Sequence, residues 1–160
     1  MTELNVAIAR HGVVRAPGRL LCVGVGSCVV IALHDPASGT GALAHVLLPE
    51  APPGAASAGG HPARYAVTAV PLLVGALRAR GAEGPYVAKI AGGATLFPEL
   101  RPAQGRIGPR NVEAARKALG DAGIAVAAED TGGWAGRSVV FDVATGKMAV
   151  RLAGGETHVL

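Results

Sequence analysis

Aromatic side chains are scarce in this chain: two Phe, two Tyr and one Trp make up 3% of its 160 residues. A surface that binds nucleic acid needs aromatic platforms for bases and a concentrated basic face for phosphates. Charged residues are only 16% and the arginines are scattered, so the net charge of +4 reads as a mildly basic solvated surface and nucleic acid is set aside. Cysteine is equally sparse. Cys22 and Cys28 are six apart, which in a straight strand is about 20 Å, beyond the reach of a disulfide. Only a chain folded back at Gly24 and Gly26 brings them together, and unpaired thiols fit a reducing, cytoplasmic compartment. No run approaches the ~18 apolar residues of a membrane span, and the opening MTELNVAIARHG lacks the basic segment and apolar core of a signal peptide. The expectation is an unexported protein with no membrane insertion.

What the chain does have is small aliphatic residues and turns. Hydrophobic residues are 50% of the sequence, so Ala, Val and Leu must fill the core, and the 24 glycines fall as singles and pairs that punctuate elements. A chain of this length supports one core, and residues 1–160 are expected to form a single domain.

In chain order, Leu4 to Arg15 alternates loosely and predicts one opening strand of packing material, closed by Pro17-Gly18. Leu20 to Val25 and Val29 to Leu33 are apolar and β-branched enough to be buried on both faces. Asp35 to Gly41 is dense in turn formers, and Ala42 to Leu48 is a returning apolar run, so the pattern predicts a β-hairpin. Glu50 to Gly60 reads as a surface loop, either a rim or lid of a nearby site or an inert connector. From Pro62, apolar residues at Ala66, Val67, Val70, Leu73, Val74 and Leu77 predict a helix that ends at Gly81 and bends at Pro71.

Tyr86 to Ala91 reads as a strand with Lys89 facing solvent, leading into Gly92-Gly93, whose spacing matches no nucleotide-binding loop. Pro109 to Ala122 predicts a second helix supported by a Glu113–Lys117 pair and capped by Gly123. Ile124 to Ala128 predicts a buried strand followed by a turn over Glu129 to Gly133. Ser138 to Val143 and Lys147 to Leu152 predict a closing hairpin.

The chemistry concentrates between Leu20 and Pro49. If the hairpin turn centres on Pro36 to Ser38, the position facing Cys28 falls between residues 45 and 48, a window that contains His45. A thiol beside an imidazole is a nucleophile with its base, and the amides around Gly26, Ser27 and Cys28 are donors for a developing oxyanion. Cysteine in an apolar run is also ordinary packing, and periodicity alone leaves both readings open. His11, His34, His61 and His158 read as surface or structural, with His61 placed to help at a helix end. A zinc site from Cys22, Cys28 and His45 lacks the usual ligand spacing and a fourth ligand.

The stretches GVGSCVVIALHDP, GALAHVLLP, RYA (Arg64 to Ala66), AKIAGGATLF, IGPRNVEAARKAL, AEDTGGWAGRSVVFDVATGKMAV and RLAGGE run in order over nearly the whole chain. Together they resemble the CheD family of chemoreceptor glutamine deamidases. The resemblance implies an α/β fold, a single-domain α/β sandwich with mostly antiparallel strands and two main helices, related in arrangement to deamidating bacterial toxins. It implies a protein-glutamine glutaminase that hydrolyses selected glutamines of methyl-accepting chemoreceptors to glutamate, releasing ammonia and using no cofactor and no metal. It places the nucleophile on Cys28 and the histidine on His45. Where the family commonly has threonine six residues before the nucleophile, this chain has Cys22, a weaker hydrogen-bonding group. The resemblance further implies a CheC-type phosphatase as a partner. It leaves room for a largely non-catalytic module that regulates that phosphatase or the receptor array, and, more remotely, for a receptor methylesterase.

Overall fold

Two five-stranded sheets face each other, and helices cover the outer face of the second, in a computed structural model that describes residues 1–53, 60–97 and 106–160. The first sheet has the order β1 (Thr2–Asn5), β3 (Gly18–Val25), β8 (Arg137–Asp142), β9 (Lys147–Leu152) and β10 (Thr157–Val159). The second has the order β2 (His11–Arg15), β5 (Thr40–Val46), β4 (Val29–Asp35), β6 (Val87–Gly92) and β7 (Val126–Thr131). Pairing is antiparallel except at β1–β3 and β6–β7. Two α-helices, α1 (Ala66–Arg78) and α2 (Ile107–Asp121), lie among the described residues. This is the α/β sandwich of mainly antiparallel strands and two main helices that the resemblance implies.

The layering explains the composition. β4 is central in its sheet, and its near-continuous VVIALHD run is buried on both faces. Val29, Ile31 and Leu33 pack with Leu73, Leu77, Val112 and Leu119 of the helices, while Val30 and Ala32 join Leu20, Val139, Phe141 and Met148 between the sheets. Because alternate strand residues point to opposite faces, β4 divides its side chains between two cores. β3, by contrast, alternates through Leu20 and Cys22 and is buried mainly on one face.

Several expectations are corrected. The predicted opening strand is two strands in different sheets: β1 runs parallel to β3, β2 runs antiparallel to β5, and residues 6–10 cross between the layers. Pro62 opens a single 3₁₀ turn (Pro62–Arg64) rather than α1, because Tyr65 is extended. His61 does serve there, its Nδ1 accepting from the Ala63 N–H at 3.1 Å. α1 runs through Pro71. In α2, Lys117 pairs with Asp121 at 2.8 Å rather than with Glu113, and Arg116 reaches Glu129. Gly123 closes α2 with positive φ, as predicted.

β7 is a half-exposed edge strand that extends through Glu129 to Thr131, so the turn falls after it. Lys89 does not face solvent. It lies opposite Ala32 on the inter-sheet face, and its Nζ donates to the carbonyls of Gly146 at 2.7 Å and Leu160 at 2.9 Å. Residues 54–59, most of the proposed rim or lid loop, lie outside the described residues.

Candidate active site

Cys28 stands at the point where the chain leaves one sheet for the other. β3 ends at Val25, residues 26–28 make the crossing, and β4 begins at Val29. Gly24 has φ +67°, a conformation that favours glycine, and the β3–β8 register shifts between Cys22 and Val25. A bulge therefore interrupts β3 between Cys22 and the crossing that carries Cys28. Both thiols are free, and both belong to the inter-sheet core.

The three carbonyls of the crossing are all taken up by the protein. Gly26 accepts from the Ala94 N–H at 2.9 Å, Ser27 from Asn111 Nδ2 at 2.9 Å, and Cys28 from the Gly93 N–H at 2.7 Å. Gly92 and Gly93 are needed for this close approach. A Cβ on Gly92 would stand 2.3 Å from the Cys28 carbonyl oxygen, and one on Gly93 would stand 2.2 Å from Val112 Cγ2. Asn111 also donates to Leu47 O at 3.0 Å, so one buried amide on α2 joins the nucleophile crossing to the end of the histidine strand. Among the described residues, the N–H groups of Gly26, Ser27 and Cys28 have no backbone acceptor.

His45 is in β5, 1% exposed, directly opposite Val30. Facing residues of a ladder share a side of the sheet, and Cys28 belongs with Val30 to the inter-sheet core on that side. Cys28 precedes the first pair of that ladder, Val29 with Val46, by one residue, so the thiol stands at the end of the hairpin that carries His45. His45 Nδ1 contacts the Val6 carbonyl at 3.4 Å, and its Nε2 is buried with no hydrogen-bond partner. Because a carbonyl only accepts, this contact is a hydrogen bond in the tautomer with its proton on Nδ1, which leaves the lone pair on Nε2. Cys22, in β3, donates to the same Val6 oxygen at 3.5 Å.

Burial governs the charges. It pushes the Cys28 thiol up, against the opposing effect of its own backbone N–H, and it pushes His45 down, against the Val6 hydrogen bond. Burial also pushes Cys22 up to about 12, with the neighbouring Cys28 thiol adding to the rise. The resting pair is therefore a neutral thiol and a neutral imidazole. Leu96 lies over Gly26 of the crossing; exposed apolar side chains also stand at Val23 on β3, at Phe97 and at Trp134. These four are exposed, in a chain with five aromatic residues in all.

Cys22 and His45 meet at the Val6 carbonyl, Cys22 and Cys28 share the inter-sheet core, and Gly26 and Ser27 precede Cys28 in the crossing. Two groups escaped the sequence reading. Asn111 left a signal, an amide on the apolar stripe formed by Val112, Ala115 and Leu119. The Val6 carbonyl left none.

A family model described as CheD chemotactic sensory transduction matches residues 47–152. The chemoreceptor glutamine deamidase CheD of Thermotoga maritima is 44% identical over 154 residues, covering 94% of this chain and 92% of that protein. A probable chemoreceptor glutamine deamidase CheD of Geobacter metallireducens is 49% identical over 150 residues, covering 92% of each. Another, from Pyrococcus horikoshii, is 40% identical over 154 residues, covering 94% and 93%. The family-model match starts beyond His45, but the pairwise matches are long enough to include both residues of the pair.

Proposed function

The chain belongs to the CheD family, and from that membership together with the geometry of the buried pair we propose that it is a protein-glutamine deamidase acting on chemoreceptors. The observation that carries the mechanism is the unpartnered Nε2 lone pair of His45 on the same sheet face as the Cys28 thiol.

With both groups neutral at rest, proton transfer accompanies attack. As the Cys28 sulfur bonds to the glutamine Cδ, its proton passes to His45 Nε2, and the carbonyl oxygen becomes an oxyanion for the N–H groups of Gly26 and Ser27, which have no backbone acceptor among the described residues. Collapse breaks the C–N bond, and the Nε2 proton leaves with ammonia. The remaining thioester is attacked by water, which gives its proton to Nε2. The second collapse returns that proton to sulfur and releases glutamate. Each step uses only groups of this chain, substrate and water. The exposed Leu96, over Gly26, supplies apolar surface beside the crossing for a protein substrate to cover.

The test is mass spectrometry of a receptor cytoplasmic fragment before and after incubation. Glutamine-to-glutamate conversion by wild type and none by Cys28→Ala is the expected result, and conversion by Cys28→Ala would remove the proposed nucleophile. A cytoplasmic location is proposed with this function and is supported by the two free thiols. No described helix is long and apolar enough to cross a membrane.

A second reading, a largely non-catalytic module that regulates a CheC-type phosphatase or the receptor array, is favoured by the burial that raises the Cys28 thiol and by Cys22 at the threonine position. The CheC-type partner rests on the family resemblance. Co-purification with such a phosphatase, without receptor conversion at any enzyme concentration, would select this reading.

A further inference from the structure

Residues 6–10, the passage from β1 to β2, hold His45 at three points. The Val6 carbonyl takes its Nδ1, the Ala9 N–H donates to its backbone carbonyl at 2.8 Å, and its own N–H donates to the Arg10 carbonyl at 3.0 Å. The passage is itself fastened. Val6 N–H donates to Leu21 O at 2.7 Å, beside Cys22, and Arg10 N–H donates to Ala7 O at 3.1 Å. Ala9 has φ +62°, the one non-glycine residue with positive φ among the described residues. Alanine in the left-handed region is unfavourable by itself, so the surrounding contacts must enforce this conformation.

We propose that the backbone carbonyl of Val6 is the positioning group for His45, fixing the Nδ1–H tautomer and aiming Nε2 at Cys28, while Cys22 acts on that carbonyl and not on the imidazole. The inference rests on the deamidase reading for its kinetic consequences, but not for its structural ones. A carbonyl oxygen has two lone pairs and can receive both Nδ1–H and the Cys22 S–H. With the other tautomer, the Nδ1 lone pair would point at the lone pairs of Val6 O, and a buried Nε2–H would lack an acceptor. The 3.4 Å contact is longer than the usual ~2.9–3.0 Å, and such bonds commonly tighten when substrate binds. Cys22 is a poor donor with a competing carbonyl at hand, so it need not touch the histidine for the histidine to be oriented. That accounts for how a chain without the family threonine keeps an aimed base.

The direct test is ¹⁵N and ¹³C NMR of the His45 ring at neutral pH, with the signal assigned by its loss in His45→Gln. The expected result is a neutral ring protonated at Nδ1, unchanged in Cys22→Ala and Cys22→Thr. A ring protonated at Nε2, or a tautomer that switches in Cys22→Ala, would overturn the proposal. This measurement uses no substrate, so it can fail while deamidation stands, and the reverse.

A second arm replaces Ala7 by its α-hydroxy analogue, which turns the Val6 carbonyl into an ester and a weaker acceptor. The Ala7 N–H that is lost has no backbone partner among the described residues. The expected result is a fall in kcat of roughly tenfold at unchanged KM, in the range of a weakened catalytic hydrogen bond. An ester variant with wild-type kcat and pH profile would overturn the assignment.

Discussion

Gly92→Ala is the sharpest probe of the nucleophile crossing. Gly92 has φ +117°, where an alanine is strained by about 1–3 kcal/mol. Its new Cβ would stand 2.3 Å from Cys28 O, 2.9 Å from Val25 Cγ1 and 3.2 Å from the Val29 Cα, and real Cβ atoms essentially never come within 3.0 Å of another atom. The Cys28 carbonyl must therefore retreat by at least about 0.7 Å, weakening its 2.7 Å bond from the Gly93 N–H, a net loss of ~1 kcal/mol. Stability should fall by about 2–4 kcal/mol, a Tm decrease of roughly 5–15 °C for a chain of this size. A misplacement of ~1 Å costs about 100-fold in rate, so kcat should fall by roughly 10- to 100-fold. The assays are thermal unfolding by circular dichroism and receptor-fragment deamidation by mass spectrometry, well below the variant's Tm. A variant that keeps kcat within twofold and Tm within 2 °C would refute the claim that the glycine pair sets the thiol's position.

Gly75→Ala has the opposite expectation: nothing lies within 4 Å of the added methyl on α1, so alanine should stabilise by about 0.5–1 kcal/mol in a thermal melt without changing activity. Arg137→Met removes a buried guanidinium that donates to Asp130 Oδ1 at 2.8 Å and to the carbonyls of Asp130 and Gly132. The loss should be about 3 kcal/mol by urea unfolding, and a loss below ~1 kcal/mol would count against a structural role.

Stability should also fall on both sides of neutrality. His45 is depressed by burial, so its contribution is present above the unfolded value of ~6.5 and is lost as pH drops from there through its folded value. The thiols are raised, so their contribution is present below the unfolded value of ~8.5 and is lost as pH rises toward about 12, the folded value of Cys22. Tm measured from pH 5 to 10 should show both limbs, and Cys22→Ala should flatten the alkaline one. An alkaline limb unchanged by that substitution would contradict the burial argument.

The sequence carried the site further than it carried the layers. The hairpin that sets His45 opposite Val30, two residues after Cys28, is local: a turn-forming Asp35 to Gly41 between two apolar runs sets its register, and Asp35 pairs with Thr40 across that turn. The division of Leu4 to Arg15 between two sheets is not local. Alternation continues through Val6 to Arg10, and only the pairing with β3 on one side and β5 on the other breaks the strand in two. Lys89 misled because a lysine usually marks solvent, whereas here the β8–β9 turn and the tail supply carbonyls inside the sandwich. Val6 could not be found from sequence at all, since the group that matters there is one that every residue possesses.

The two-faced burial of β4 has a consequence for how the protein can go wrong. Cys28 and Val30 face one core while Val29 and Ile31 face the other, and the strand is apolar enough on both sides that hydrophobicity alone hardly penalises a one-residue slip against β5. A slipped chain would keep its helices and much of its compactness, yet it would carry thiol and imidazole on opposite sides of a sheet. Asp35, whose carboxylate accepts from the Ala37 N–H and the Ser38 hydroxyl at the hairpin tip, then acts as a proofreader for a pair of residues at the far end of the strands.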